Sequence, residues 1–172
     1  RAFEQYLNGD KQEDLGNQNQ LNMSSVRQYF ETSSHQKFSP RFDIVGPLTL
    51  PQDMSYYGGK EENGSDDKFS DFCRDALELA KGEVSDWSVY DNDKDGRIEL
   101  VCVIYAGYGQ NQIGGDITYW NTIWAKASYQ NIKVNNTQRI ARFNCSPELF
   151  YPKYPDFING TGVFIHELSH CI

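Results

Sequence analysis

Apolar residues between positions 69 and 80 recur three and four positions apart. This spacing predicts an amphipathic helix that buries one face. Asp66 and Asp67 are expected in its first turn, where carboxylates interact favourably with the helix dipole. Lys81 and Gly82 follow the last apolar position, and together they are typical of a helix end.

Two further helices are predicted nearer the ends of the chain. Ser24 or Ser25 is expected to cap a short helix that runs to Phe30, because a serine side chain can accept from a free backbone N–H of the first turn. A second helical pattern begins at position 163 and continues to 172.

Strands are predicted between these helices. Residues 98–105 form a β-branched and apolar run, which is typical of a strand buried on both faces. Residues 118–124 and 132–143 are predicted as two more strands, the second interrupted by a turn at 135–136. Residues 151–162 contain prolines and glycines and predict an irregular segment. The mixture of helices and strands predicts an α/β (α+β) domain.

The charge balance narrows the classes of partner. The chain has 16 basic and 24 acidic residues and a net charge of -8, so no basic stripe predicts nucleic-acid binding. No apolar run approaches the roughly 20 residues of a transmembrane helix. The four cysteines form no C-x-x-C pair, so a cysteine-based zinc ribbon is not predicted. Buried free thiols are favoured over two disulfides.

The most informative motif is His166-Glu167-Leu168-Ser169-His170. On a helix, residues four apart share one face, so both imidazoles can bind one zinc ion. Glu167 can then act as general base toward water at the metal. The alternative is a surface helix in which these residue types occur at this spacing by chance. The motif's flanking residues favour the metal site, because they are apolar, as in a helix buried in a core: Val163, Phe164, Ile165, Leu168, Cys171 and Ile172.

A catalytic zinc site needs a third protein ligand. The remaining histidine, His35, lies in a polar stretch, and a solvated surface role is favoured for it. In zincins that continue the motif as Gly-x-x-His or Gly-x-x-Asp, the third ligand comes six residues after the second histidine. The sequence therefore predicts the third zinc ligand beyond the end of this chain.

A second metal motif precedes the predicted buried strand. Asp91, Asp93 and Asp95 alternate before Gly96, as in a calcium loop, with Arg97 (through its carbonyl) and Glu99 as further candidate ligands. The twelfth position is Cys102 and a strand follows, so this is not an EF-hand. A structural calcium site and a turn without metal, capped by its own Asp and Asn side chains, are left as equal alternatives.

Together these pieces resemble the immune inhibitor A family of secreted bacterial zinc metallopeptidases. The order of the stretches makes the resemblance far more specific than the His-Glu motif alone. The stretches that carry it are Ser25-Val26-Arg27-Gln28-Tyr29-Phe30, Phe42-Asp43-Ile44-Val45-Gly46-Pro47, Tyr90-Asp91-Asn92-Asp93-Lys94-Asp95-Gly96, Ile104-Tyr105-Ala106-Gly107-Tyr108-Gly109, Thr122-Ile123-Trp124 and His166-Glu167-Leu168-Ser169-His170.

The resemblance implies a zincin-like N-terminal subdomain, with a twisted mixed sheet, a backing helix and an active-site helix. It implies zinc-dependent endopeptidase activity on proteins or peptides, with His166 and His170 as ligands and Glu167 as base, in a secreted or cell-surface protein. Residues 1–172 are then expected to be one partial catalytic domain, without its C-terminal subdomain and inactive as a fragment. Gly107, Tyr108 and Gly109 are expected to border the substrate cleft, or else to form a tight turn after a buried strand.

Two other interpretations remain open from the sequence. One is a non-enzymatic, calcium-stabilised binding module that holds glycans or proteins with its aromatic side chains. The other is a degenerate peptidase homologue that keeps the fold without the chemistry. A Gly-x-x-His or Gly-x-x-Asp continuation after Ile172 would favour the enzyme.

Overall fold

The computed structural model describes residues 2–10, 24–59, 68–112 and 121–172. Within these ranges, helices flank a five-stranded mixed sheet, so the predicted α/β (α+β) class is confirmed. No described helix is long and apolar enough to cross a lipid bilayer. The elements are α1 (Ala2–Asn8), α2 (Val26–Ser33), α3 (Met54–Tyr57), α4 (Phe69–Ala80), β1 (Arg97–Ile98), β2 (Val101–Tyr108), β3 (Lys126–Lys133), β4 (Arg139–Tyr151), β5 (Tyr154–Ile158) and α5 (Thr161–Ser169).

The sheet is built around β4, the longest strand. On one side β4 pairs in parallel with β1 and then with β2. On the other side it pairs antiparallel with β3 and β5. Phe143 shows both neighbours, since it is opposite Val101 of β2 and Ser128 of β3. Within the described residues, β3 is therefore an edge strand whose outer side faces no other strand.

Alternate side chains of β2 enter two different cores. Val101, Val103 and Tyr105 pack with α4 in one core, which confirms the predicted amphipathic helix. Cys102 and Ile104 pack on the opposite face, with buried residues of α1, α2 and α5. The predicted strand thus packs on both faces, but its bounds differ: Ile98 belongs to β1, β2 runs on to Tyr108, and within β2 only Tyr105 is fully buried.

The predicted helices form with somewhat different ends. Ser25 caps α2 through a capping box, in which its hydroxyl accepts from the N–H of Gln28 and the Gln28 side chain accepts from the N–H of Ser25. Helix α4 begins at Phe69, and Asp66 and Asp67 lie outside the described residues. Helix α5 begins two residues earlier than the apolar pattern indicates and ends at Ser169.

One strand prediction and one prediction of an irregular segment are wrong. The described part of the 118–124 segment, from 121 onward, is turn and loop, and the strand begins only at Lys126. Ile123 is nonetheless buried in the core. Its carbonyl accepts from the Tyr105 hydroxyl at 2.7 Å and from the Gln110 N–H at 3.1 Å, and these hydrogen bonds hold the loop in place. The segment predicted as irregular contains β5, which forms a hairpin with the end of β4. The predicted interruption after 133 is confirmed.

Candidate active site

Helix α5 presents two imidazole rings on one exposed face. His166 and His170 are four residues apart, and their Nε2 atoms are 3.2 Å from each other. The ring centroids are 4.8 Å apart and the ring planes are nearly perpendicular, at 84°. The structure therefore brings the Nε2 atoms of the two predicted ligands close together.

This separation fits a shared metal ion. Zinc–nitrogen bonds of about 2.0–2.1 Å with tetrahedral angles place two ligand nitrogens about 3.3 Å apart. Among the described residues, Asp91, Asp93 and Asp95 form a group of three side chains that could hold a metal ion. No third metal-ligating side chain from the same residues lies close enough to complete such a group with the two histidines. His35 lies in the turn after α2 and joins no such group within the same ranges. The part of the chain that the structure describes thus brings together two of the predicted ligands.

Glu167 lies next to the first histidine in sequence but is largely buried, with 9% of its surface exposed. Its carboxylate accepts a hydrogen bond from the backbone N–H of Ala127 on β3. Burial raises the pKa of Glu167 above its ordinary value, while His166, His170 and the Ala127 N–H act in the opposite direction. A carboxyl group tuned in this way can both accept and return a proton.

A groove of about 620 Å³ lies between β3 and α5. One wall is the edge strand with the loop before it, and the other is the face of α5 that carries the histidines and Glu167. Trp124 and Tyr129 are 49% and 63% exposed, so the groove has aromatic surface open to a ligand. The lining residues are Trp124, Ala125, Lys126, Ala127, Ser128, Tyr129, Arg142, His166, Glu167, His170 and Cys171.

Packing holds α5 against the sheet. Phe164 is 1% exposed and makes edge-to-face contacts with Tyr6 at 6.1 Å and Phe42 at 5.8 Å between ring centroids. The Tyr6 hydroxyl donates to the carbonyl of Gly160, the residue before the helix, at 3.3 Å. At the other end, Arg142 Nη1 donates to the Cys171 carbonyl at 2.8 Å. Both ends of the histidine-bearing helix are thus tied to other elements.

The aspartate loop stands apart from this groove, before β1. One ligand oxygen from each of Asp91, Asp93 and Asp95 lies within 4.8 Å of the others. Asp91 is 9% exposed, and its Oδ2 accepts from the Gly96 N–H at 3.1 Å. Its Oδ1 is buried and has no hydrogen-bond partner among the described residues. Such an unpaired buried oxygen is destabilising unless a cation or water contacts it.

The two other residues predicted for this loop differ in what they contact. Glu99 Oε1 accepts from the Asn92 N–H at 2.9 Å, so its side chain is directed into the loop. The Arg97 guanidinium is 3.8 Å from Asp95 Oδ2, and the backbone N–H of Arg97 donates to Asp95 Oδ1 at 2.7 Å. Gly96 has a φ of +84°, a conformation that glycine adopts without strain, in keeping with the sharp turn expected of it.

The glycines expected at the substrate cleft lie at the end of β2. Gly107, Tyr108 and Gly109 are not among the residues that line the groove. A Cβ at Gly109 would lie 2.7 Å from the Tyr105 hydroxyl and 2.9 Å from Pro147, so the chain is tightly packed there. The structure does not bring this segment together with His166, Glu167 and His170.

Comparison with known proteins shows the family of this chain. A family model described as "immune inhibitor A peptidase M6, catalytic domain" matches residues 2–172. The chain belongs to this peptidase family. The resemblance inferred from the motifs is thereby confirmed, and it covers nearly the whole chain.

Individual relatives are more distant. Immune inhibitor A of Bacillus thuringiensis subsp. alesti is 28% identical over 142 residues, which cover 71% of this chain and 20% of the relative. The pre-pro-metalloprotease PrtV of Vibrio cholerae serotype O1, strain M66-2, is 24% identical over 168 residues, covering 87% of this chain and 18% of the relative. PrtV of a second strain, El Tor Inaba N16961, matches equally well. The chain spans about a fifth of the length of these relatives.

Two residues of the site carry no signal in the sequence. Ala127 takes part through its backbone N–H, which every residue except proline possesses. Arg142 lines the groove although it is 24 positions before His166 in sequence. Both are placed by the pairing of β3 with β4, in which Ala127 is opposite Asn144 and Tyr129 is opposite Arg142. Only a correct strand register would have identified them.

Proposed function

We propose that the protein containing this chain is a zinc-dependent endopeptidase. His166 and His170 are two of its zinc ligands, and Glu167 is its general base. The observation that carries the proposal is the pair of Nε2 atoms 3.2 Å apart on an exposed helix face, beside a buried carboxylate. The third ligand is proposed to lie outside the part of the chain that the structure describes.

The chemistry divides between the metal and the protein. When bound, zinc would supply a Lewis acid that acidifies water and polarises a carbonyl. Glu167 takes a proton from the attacking water and returns it to the leaving amine. The Ala127 N–H holds the carboxylate in the groove, and burial keeps its pKa above that of a solvated glutamate. This raised pKa favours the return of the proton.

The edge of β3 is the proposed binding surface for an extended protein or peptide substrate. Its outer side is unpaired within the described ranges, and the strand forms one wall of the groove. An extended peptide can add to such an edge through main-chain hydrogen bonds. The neighbouring Trp124 and Tyr129 would contact its side chains.

The test uses the intact protein. Zinc content is measured by elemental analysis, and casein hydrolysis is followed with and without a chelator. Replacement of Glu167 by Gln is expected to lower hydrolysis by about 10²–10⁴-fold without loss of zinc, since it removes only the proton transfer. Glu83→Gln, on an exposed position away from the groove, is the matched control and is expected to leave hydrolysis unchanged.

Different failures point to different alternatives. A zinc-containing protein without hydrolysis would indicate a degenerate peptidase homologue. A protein without zinc that still binds proteins or glycans would indicate a binding module. Hydrolysis that survives Glu167→Gln would contradict the role of the carboxylate.

We further propose that Asp91, Asp93 and Asp95 bind a structural calcium ion. The unpaired buried Oδ1 of Asp91 supports this, because a hard cation would satisfy it together with the two neighbouring carboxylates. Calcium at 100 times its Kd is expected to stabilise the fold by about 2.7 kcal/mol. Thermal unfolding with and without calcium measures this stabilisation as a shift in melting temperature. Asp91→Asn should abolish the shift, whereas Asp53→Asn, on an exposed position, should retain it. Equal melting temperatures with and without calcium in the wild type would contradict the site.

Residues 1–172 are proposed to form one part of a larger catalytic domain in a secreted or cell-surface protein. The match to the catalytic-domain model and the short share of the relatives' length support this proposal. Fractionation of the source cells, followed by detection with an antibody, would test the location.

A further inference from the structure

The groove contains an arginine that the proposed chemistry does not use. Arg142 is exposed, and its Nη1 donates to the Cys171 carbonyl at the end of α5. Among the described residues no carboxylate lies within ion-pair distance of it, whereas Arg27, Arg74 and Arg97 each contact one. Arg41 and Arg139 also contact no carboxylate among the described residues, so Arg142 is distinguished by its position in the lining of the groove.

The other cation that lines the groove is directed elsewhere. Lys126 Nζ lies 4.3 Å from the centre of the Phe69 ring, which belongs to the core on the α4 side of the sheet. Successive side chains of a strand point to opposite faces, so Ala127 and Tyr129 point toward α5 while Lys126 does not. Arg142, which is opposite Tyr129, therefore provides the positive charge on the groove side.

The position of Arg142 relative to Glu167 follows from the register. Glu167 contacts Ala127, and Arg142 is opposite Tyr129, two residues farther along β3, or about 7 Å. The helix gives a similar separation between Glu167 and Arg142. Arg142 donates to the carbonyl of Cys171, which is four residues after Glu167, or about 6 Å along the helix axis. An extended peptide beside β3 also advances about 7 Å in two residues. The peptide backbone would lie two strand spacings, about 9.5 Å, from β4, a distance that an arginine and an aspartate side chain can span together, so the side chain two positions from the scissile bond is expected to reach Arg142.

We propose that Arg142 is a specificity-determining residue that selects peptides with an acidic side chain at the second position on one side of the cleaved bond. This rests on the proposed function and names its substrate class. A guanidinium already fixed by one hydrogen bond loses little freedom when it donates to a carboxylate. Because the site is open to solvent, the expected preference is about fivefold, not several orders of magnitude.

The test uses the intact, zinc-loaded protein and peptides that differ only by Asp or Asn at each of three positions on either side of the cleaved bond. At the second position on one side of the cleaved bond, kcat/KM is expected to be about fivefold higher for the Asp peptide, and a preference confined to another position would contradict the proposed geometry. Arg142→Gln should remove this preference, Arg142→Lys should keep part of it, and Arg139→Gln, on the same strand but outside the groove lining, should keep all of it. If Arg142 only held the Cys171 carbonyl in place, Arg142→Gln would instead lower kcat/KM equally for the Asp and the Asn peptide.

A second measurement separates this inference from the proposed function. The same peptides are titrated by fluorescence anisotropy against the Glu167→Ala variant, with and without Arg142→Gln. The Asp peptide is expected to bind about fivefold more tightly, and only when Arg142 is present. Equal affinities, or a preference that survives Arg142→Gln, would overturn the role of Arg142. A charge-dependent affinity without any hydrolysis by the wild type would contradict the peptidase and support the acid-binding site.

Discussion

The hydrogen bond from Ala127 to Glu167 can be removed by one substitution. Ala127→Pro deletes the N–H that the carboxylate accepts and leaves the side chains of the groove in place. In an antiparallel pair only alternate residues direct their N–H toward the partner strand. Since that of Ala127 is directed to Glu167, the pairing of β3 with β4 should persist. Edge strands tolerate proline at such positions.

The size of the effect follows from the charge of the acceptor. A hydrogen bond to a charged group contributes about 1.5–3 kcal/mol. If the whole of it is lost from the ionised form, the protonation equilibrium of Glu167 shifts by that amount, and on the acid limb of the pH profile kcat/KM falls by about 10- to 100-fold. The lost bond had also lowered the pKa of Glu167, so that pKa rises further in the variant. Because the base acts in its ionised form, the acid limb of the pH profile should move to higher pH.

The assay compares Ala127→Pro with Ala127→Ser, which keeps the N–H, in the intact protein. A quenched fluorescent peptide gives kcat/KM between pH 5 and 9, circular dichroism checks the fold, and elemental analysis checks zinc. The reasoning is refuted if the proline variant folds, retains zinc and hydrolyses the peptide within twofold of the serine variant at every pH.

Three further outcomes are expected from the fold. Phe164→Ala should lower the free energy of unfolding by about 3–5 kcal/mol in urea titrations, whereas Val89→Ala, on a side chain 60% exposed, should change it little. Ser25→Ala should cost about 1 kcal/mol in the same titrations, because the α2 cap is lost; an unchanged midpoint would contradict the cap. Burial and the hydrogen bond to Asp75 raise the pKa of Tyr57 from 10.0 to about 12. Its neutral form therefore adds stability below pH 10 that is lost as pH rises toward 12, and Tyr57→Phe should flatten that part of the urea midpoint against pH.

The sequence predicted the elements whose signals are local. Neighbouring residues are enough to predict three features: the Ser25 cap, the apolar face of α4 and the packing of β2 on both faces. The His166–His170 pair is also local, because one helical turn is enough to bring the rings together.

What the sequence did not predict depends on contacts between distant segments. Ile123 is β-branched, as strand residues often are, but it lies in a loop, where its carbonyl accepts from the Tyr105 hydroxyl. The β4–β5 hairpin was hidden by the prolines of its segment, and Pro147 even lies within β4. Arg142 is one exposed charge among many until the register places it opposite Tyr129. Hydrophobic periodicity carries no information of this kind.

The start of α5 has a consequence for how the protein is made. Gly160 contacts Tyr6, which is 154 positions earlier, and Thr161 contacts Ser24, which is 137 positions earlier. Loops of this length close late, since their entropy must be overcome before the contacts form. During synthesis on the ribosome, α1 and α2 can therefore pack against Leu100, Cys102 and Ile104 before α5 emerges. Until α5 is added, part of the apolar surface of this core stays uncovered, which exposes the nascent chain to proteases and aggregation.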